Sequence, residues 1–208
     1  MVRLKICGNS TLSDIINLDK FEGVDYIGII IEENSPRFTK PEFINIVKKF
    51  IKKPIVAVKA KGNVEEIIKK AEDADYIQIH RVLQDYELEL LSSYYSNKKI
   101  ILYVPADISY KNYLNKVMKL DFKILIDVLI KGRSIEVSQI RSLVGDKIAD
   151  ERVGVAGKIE IENIGKFLEL EPGWIDISSS VEIYPGKKDI NKIKKLIEVI
   201  KNRNSSNF

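Results

Sequence analysis

Cysteine is almost missing from this chain: Cys7 is the single one among 208 residues. A lone cysteine excludes an internal disulfide framework. Histidine is as scarce, with His80 alone, which rules out a metal site built on several imidazoles. Neither an HExxH helix nor paired Cys/His spacing occurs, so no metal site is expected. There is no GxSxG elbow and no GxxxxGK[ST] loop, so serine-hydrolase and nucleoside-triphosphate chemistry lack support. No apolar run approaches the ~20 residues that span a bilayer. Met1-Val2-Arg3-Leu4-Lys5 leads straight into a short apolar run, without the apolar segment of a secretory signal. A cytoplasmic location with no membrane partner is expected. One-sided charge is also absent: 34 Lys and Arg stand against 30 Asp and Glu, for a net charge of +4. The lysine pairs (Lys48-Lys49, Lys69-Lys70, Lys194-Lys195) recur at helical spacing and read as solvated faces. No nucleic-acid partner is expected from them, although a modest positive field favours an anionic substrate.

What is present is a regular alternation. Apolar residues make up 45% and charged residues 31%, a balance that supports a folded chain able to bury a sizeable core. Short runs rich in β-branched residues fall at 4–7, 26–31, 55–58, 76–79, 100–104, 124–126, 153–156 and 175–177. Their brevity and apolarity suit strands buried on both faces. Amphipathic stretches separate them at 11–21, 41–51, 63–73, 85–93, 110–119, 136–144, 160–170 and 189–201. Pro41 suits a first helical turn, and Asn63 suits an N-cap. Strands separated by helices pair in parallel through right-handed crossovers. Eight such units predict an α/β fold, a single-domain (β/α)8 TIM barrel over residues 1–201, with 202–208 as a flexible C-terminal tail. An open doubly wound sheet is the alternative.

In a barrel the chemistry sits where strands end. Cys7 ends the first run and is followed at once by Gly8. Taken alone it reads as a small packed hydrophobe; at a barrel mouth its thiolate is a base or nucleophile. Asp127 closes Ile124-Leu125-Ile126, where a carboxylate serves as a helix cap, a loop ion pair or a general acid. Arg37, in Asn34-Ser35-Pro36-Arg37-Phe38, is a loop arginine or a fork for a carboxylate. Gly154-Val155-Ala156-Gly157-Lys158 and Ser178-Ser179-Ser180 follow the seventh and eighth runs, the usual seat of a phosphate in barrels.

Several of these segments together resemble phosphoribosylanthranilate isomerase, a barrel enzyme family of tryptophan biosynthesis. They are Leu4-Lys5-Ile6-Cys7-Gly8, Ser35-Pro36-Arg37-Phe38, Ile77-Gln78-Ile79-His80, Leu125-Ile126-Asp127 and, most specific, Ile175-Asp176-Ile177-Ser178-Ser179-Ser180-Val181-Glu182 with Pro185-Gly186-Lys187-Lys188-Asp189. The resemblance implies an Amadori rearrangement of N-(5-phosphoribosyl)anthranilate that needs neither metal nor organic cofactor. It implies Cys7 as general base and Asp127 as general acid. It implies Arg37 on the anthranilate carboxylate, Gly157, Ser179 and Ser180 at the phosphate, and His80 and Asp176 among the substrate-binding residues. Such a pair needs a thiolate and a protonated carboxyl at one pH, the inverse of their ordinary values of about 8.5 and about 3.9. The chain departs from the family pattern at four places. Lys131-Gly132-Arg133-Ser134 is poorer in glycine, and Lys158, Ser180 and Arg81 stand where glycine is usual. The expected partner is a phosphorylated small molecule, and self-association as a homodimer is left open. The competing readings are indole-3-glycerol-phosphate synthase, with Lys59 as its lysine, and a non-catalytic barrel.

Overall fold

The computed structural model describes residues 2–95, 99–130 and 134–205. Its frame is eight parallel strands: β1 Arg3–Ile6, β2 Tyr26–Ile30, β3 Ile55–Lys59, β4 Tyr76–Ile79, β5 Ile100–Pro105, β6 Lys123–Asp127, β7 Val153–Val155 and β8 Trp174–Ile177. Each pairs with the next, and β1 closes on β8 in the register Lys5↔Asp176, Ile6↔Ile177. Closure removes both sheet edges, so the open doubly wound alternative is excluded. The helices are α1 Leu12–Asp19, α2 Glu42–Val47, α3 Val64–Lys70, α4 Asp85–Tyr94, α5 Lys111–Val117, α6 Val137–Val144, α7 Ile164–Leu168 and α8 Ile190–Ser205.

Strand alternation sorts the chain into two cores. Residues such as Leu4, Ile6, Ile27, Ile29, Ile124 and Ile126 face out and pack beneath the helices. Tyr26, Val56, Val58, Ile101, Leu125 and Trp174 face in and fill the barrel. The bottom of the barrel is an aromatic plug. Tyr26 meets Tyr76 edge-on at 5.5 Å and Trp174 at 6.5 Å. Gly154 makes room for the indole, since a Cβ there would overlap the Trp174 ring. The Trp174 Nε1–H donates to the Arg152 carbonyl at 3.1 Å, so burial leaves no polar atom of the ring unpaired.

Local chemistry sets the helix ends. Asn63 Oδ1 accepts from the Glu66 N–H at 2.7 Å, the expected cap of α3. Helix α2 stops at Val47, short of the predicted residue 51, because the chain tightens into three-residue turns, Phe50 N–H to Val47 O at 2.9 Å among them. Helix α8 runs through Ser205, past residue 201 and into the stretch read as tail. Residues 206–208 lie outside the described residues. A short antiparallel hairpin, β9 Glu182–Tyr184 and β10 Lys187–Lys188, follows β8 and was not foreseen. Gly186 turns it at φ +88°. Among the described residues no helix is long and apolar enough to cross a membrane.

Candidate active site

The C-terminal ends of the strands surround one cleft of about 490 Å³, walled by Cys7, Arg37, His80, Asp127, Gly157, Asp176, Ser179 and Ser180 among others. All eight residues singled out in the sequence therefore meet at one mouth.

Cys7 continues the ladder one residue past β1: its N–H donates to the Ile177 carbonyl at 2.8 Å. Period-two alternation turns its side chain inward, directly above Lys5. Gly28 lies against it, and a Cβ there would come within 2.8 Å of Cys7 Sγ. The thiol is 6% exposed. Burial pushes it up from its ordinary value and Asp176 adds to this, while the Lys5 and Lys188 ammoniums pull it down. Lys5 is wholly buried. It donates to Gln78 Oε1 and Asp176 Oδ2, each at 2.8 Å. Burial disfavours its charge, but Asp176 and Cys7 outweigh that and hold the ammonium above its usual value. The other Asp176 oxygen, Oδ1, is buried with no hydrogen-bond partner in the protein.

Asp127 ends β6, with Oδ1 accepting from the Val128 N–H at 2.7 Å. His80 stands beside it, Nε2 to Oδ2 3.6 Å, and leans on the Tyr103 ring at 4.6 Å. Gln78 Nε2 lies 3.1 Å from His80 Nδ1.

The Arg37 fork is already occupied. Its Nε and Nη2 hold Glu182 at 2.8 and 2.6 Å. Glu182 in turn accepts from Lys188 Nζ at 2.9 Å and from the Gly186 N–H at 3.1 Å. Lys188 also donates to the Cys7 carbonyl at 2.6 Å. Burial would raise the Glu182 carboxyl, but Arg37 and Lys188 bring it below its ordinary value. Burial lowers the Lys188 ammonium in spite of Glu182. The Nε–Nη2 edge of the fork expected to take a ligand carboxylate thus belongs to the protein.

The loops after β7 and β8 show why glycine matters there. Gly157 has φ +107°, and a Cβ would come within 2.5 Å of Ile135 Cδ1. Lys158 also takes the left-handed conformation, φ +56°, a backbone region that favours glycine. Ser179 opens a three-residue 3₁₀ turn, Ser179–Val181. The Ser180 hydroxyl donates to the Ile159 carbonyl at 2.6 Å, tying this turn to the loop after β7. Arg81 points away from the chemistry and clamps Glu87 at 2.6 Å and the Gly62 carbonyl at 3.0 Å. The glycine-poor segment 131–133 lies outside the described residues.

Lys59 faces out of the barrel between β3 and the loop after β2, bonded to Glu33 at 2.7 Å, and does not line the cleft. Among the described residues no three His, Cys, Asp or Glu side chains converge as metal ligands. Sequence reasoning missed Lys5, Glu182 and Lys188 as parts of the site. The signal for Lys5 was there, because a charge two residues before Cys7 on a strand must share its face. The Glu182–Lys188 pair depends on the hairpin, which gave no comparable signal.

The family model for N-(5'-phosphoribosyl)anthranilate (PRA) isomerase matches residues 4–199. An N-(5'-phosphoribosyl)anthranilate isomerase of Saccharolobus solfataricus is 51% identical over 207 residues, covering 100% of each chain. The crystal structure of dimeric phosphoribosylanthranilate isomerase of Thermotoga maritima, studied as monomers, superposes with TM-score 0.78 at 24% identity, over 97% of this chain and 100% of that one. A phosphoribosylanthranilate isomerase bound to reduced 1-(o-carboxyphenylamino)-1-deoxyribulose 5-phosphate superposes with TM-score 0.76 at 24% identity, over 97% and 100%. With its closed barrel and a match along nearly its whole length, this chain belongs to the phosphoribosylanthranilate isomerase family.

Proposed function

We infer that the chain converts N-(5-phosphoribosyl)anthranilate to 1-(2-carboxyphenylamino)-1-deoxyribulose 5-phosphate, an aldose–ketose isomerisation of tryptophan biosynthesis. The observation that carries the assignment of roles is the meeting of Cys7 and Asp127, from strands far apart in sequence, on one cleft with the glycine and serine loops.

In the proposed mechanism the Asp127 carboxyl protonates the furanose ring oxygen. The ring opens to the protonated imine. The Cys7 thiolate then takes the proton from C2, and the electron pair of that C–H bond forms the enolamine, which tautomerises to the ketone. One proton is given and one taken, so reactant and product are isomers. The cycle leaves a Cys7 thiol and an Asp127 carboxylate, and exchange with water restores both. His80 packs against the acid and holds it at the mouth. Asp176 Oδ1, buried and unpaired, is an acceptor for a sugar hydroxyl or the anilino N–H. Arg37 keeps its Nη1 edge for the anthranilate carboxylate, while Glu182 fixes the plane of the guanidinium. Backbone N–H groups at Gly157 and at the Ser179–Ser180 turn face the phosphate, with Lys158 adding charge.

The lysine-based synthase reading fails on placement, because Lys59 is directed away from the cleft. A cytoplasmic location and a homodimer belong to the same proposal; the Thermotoga relative is described as dimeric. The test follows loss of substrate fluorescence with purified protein. Cys7→Ala and Asp127→Ala are each expected to lower kcat by about 10²- to 10⁴-fold, the usual share of one acid or base. Activity at the wild-type level in the double variant would overturn the mechanism.

A further inference from the structure

A tyrosine of β5 stands beneath the proposed acid, and the proposed mechanism gives it no part. Tyr103 is 7% exposed. It pairs with Leu125 across the β5–β6 ladder, and Pro105 pairs with Asp127 further up the same ladder. Period-two alternation turns Tyr103, Leu125 and Asp127 inward together, so the tyrosine starts one layer below the carboxyl. From that layer its side chain reaches two groups that neighbour Asp127. The Tyr103 hydroxyl donates to the Val128 carbonyl at 2.7 Å. The N–H of the same Val128 donates to Asp127 Oδ1 at 2.7 Å. The Tyr103 ring packs on the His80 imidazole, with centroids 4.6 Å apart and planes tilted by 43°. His80 Nε2 in turn lies 3.6 Å from Asp127 Oδ2. Each carboxyl oxygen therefore has a neighbour that rests on Tyr103. Burial first, and then Asp127, push the phenol up from its ordinary value, so the hydroxyl stays a donor. The same strand end also holds the main chain of the acid, since the Ala106 N–H donates to the Asp127 carbonyl at 2.8 Å.

We propose that Tyr103 is a positioning residue for Asp127, fixing the carboxyl from both sides by anchoring Val128 with its hydroxyl and the His80 ring with its face. Val128 opens the loop after β6, where the ladder ends. The bond from Tyr103 anchors that residue at its carbonyl, and with it the N–H that meets Oδ1. On the other side, the ring gives the imidazole a flat surface to lie on beside Oδ2. The pose matters because proton transfer needs heavy atoms within about 2.6–3.2 Å, and a small misplacement of the acid costs rate more than binding. Tyr103 is not among the residues that wall the cleft, so it acts through its neighbours and not on the substrate. This inference rests on Asp127 as the acid.

Tyr103→Phe removes the hydroxyl and keeps the ring. It should lower kcat by about threefold to thirtyfold and leave KM for phosphoribosylanthranilate within about twofold, the pattern of an interaction that counts in the transition state. Tyr103→Leu removes the ring as well and should lose about a further threefold to tenfold. The chain has one histidine, so His80 gives a single Cε1–H resonance in the NMR spectrum of the whole protein. That resonance should move in Tyr103→Leu, which loses the ring current, and stay close to wild type in Tyr103→Phe. Tyr113→Phe is the control for a merely structural tyrosine. The Tyr113 hydroxyl accepts from the Leu83 N–H at 3.1 Å, so this variant also strips a partner from a buried main-chain group, and it should leave kcat as in wild type. Tyr103→Phe is nearly isosteric and carries the test by itself where Tyr103→Leu does not fold. Wild-type kcat in Tyr103→Phe, an equal loss in Tyr113→Phe, a change confined to KM, or an unmoved His80 resonance in Tyr103→Leu would each overturn the proposal. Wild-type activity of Asp127→Ala would instead refute the assignment of the acid, and the His80 resonance would still report the contact with Tyr103.

Discussion

Glu182→Gln is the most informative single change outside the proposed acid–base pair. Glu182 stands 5% exposed between the Arg37 guanidinium, 2.6 Å away and 19% exposed, and the Lys188 ammonium, 2.9 Å away and wholly buried. Gln preserves the shape but removes the charge, and its NH2 group must face one of two cations. Removing one partner of a buried pair costs about 3–5 kcal/mol, because the other charge stays behind without compensation. For a chain of this size each kcal/mol lowers Tm by about 2–4 °C, so a fall of about 6–20 °C is expected. Thermal and denaturant unfolding measure it. The Arg37→Met, Glu182→Gln double variant removes a cation as well and should recover part of the loss, so the two changes should be non-additive. Kinetically, KM for phosphoribosylanthranilate should rise in Glu182→Gln because the Arg37 plane is no longer fixed. A destabilisation below about 1 kcal/mol with additive singles would refute the reasoning, since that is the behaviour of a solvated surface pair.

Other outcomes follow from the same geometry. Lys158 holds a left-handed conformation at φ +56°, so Lys158→Gly should raise stability by up to about 1 kcal/mol in denaturant titration; a rise in KM without a change in kcat would show that its charge serves the phosphate. Burial raises the Glu182 and Glu32 carboxyls, but their donors outweigh it and hold both below the ordinary 4.5. The folded state thus binds fewer protons than the unfolded one, and their contribution is full above that value and lost as pH falls through the lower folded values. Unfolding midpoints should therefore fall on acidification below about pH 4.5, less steeply in Glu182→Gln, and a flat profile there would contradict the assignment. Lys59→Met, at a lysine outside the cleft, should leave kcat unchanged, and a large loss of kcat would revive the lysine-based alternative.

Much of this protein was determined by its sequence alone. Eight short β-branched runs with amphipathic stretches between them specify strands buried on both faces and helices outside, and the closed barrel is how eight such units hide every edge. Once the barrel is granted, position along the chain is position around the mouth. That is why Cys7, Asp127 and Gly157 could be named as mouth residues before any coordinate. Even the unusual Lys158 was visible as a non-glycine at a glycine's place, and its positive φ is the structural consequence. What the sequence did not determine is partnership. Whether Arg37 waits for a ligand or is held by the protein depended on the Glu182 carboxylate, 145 residues away, being carried back by a hairpin with no strong periodic signal. Nor could pattern alone say that the Lys5 ammonium donates to Gln78 on β4 and to Asp176 on β8. Hydrophobic periodicity assigns a side chain to a face. Which buried charge meets which is decided by the register of closure, which puts Lys5 beside Asp176, and by the need of each buried donor and acceptor for a partner. Those are properties of the assembled barrel, and they decide the chemistry at its mouth.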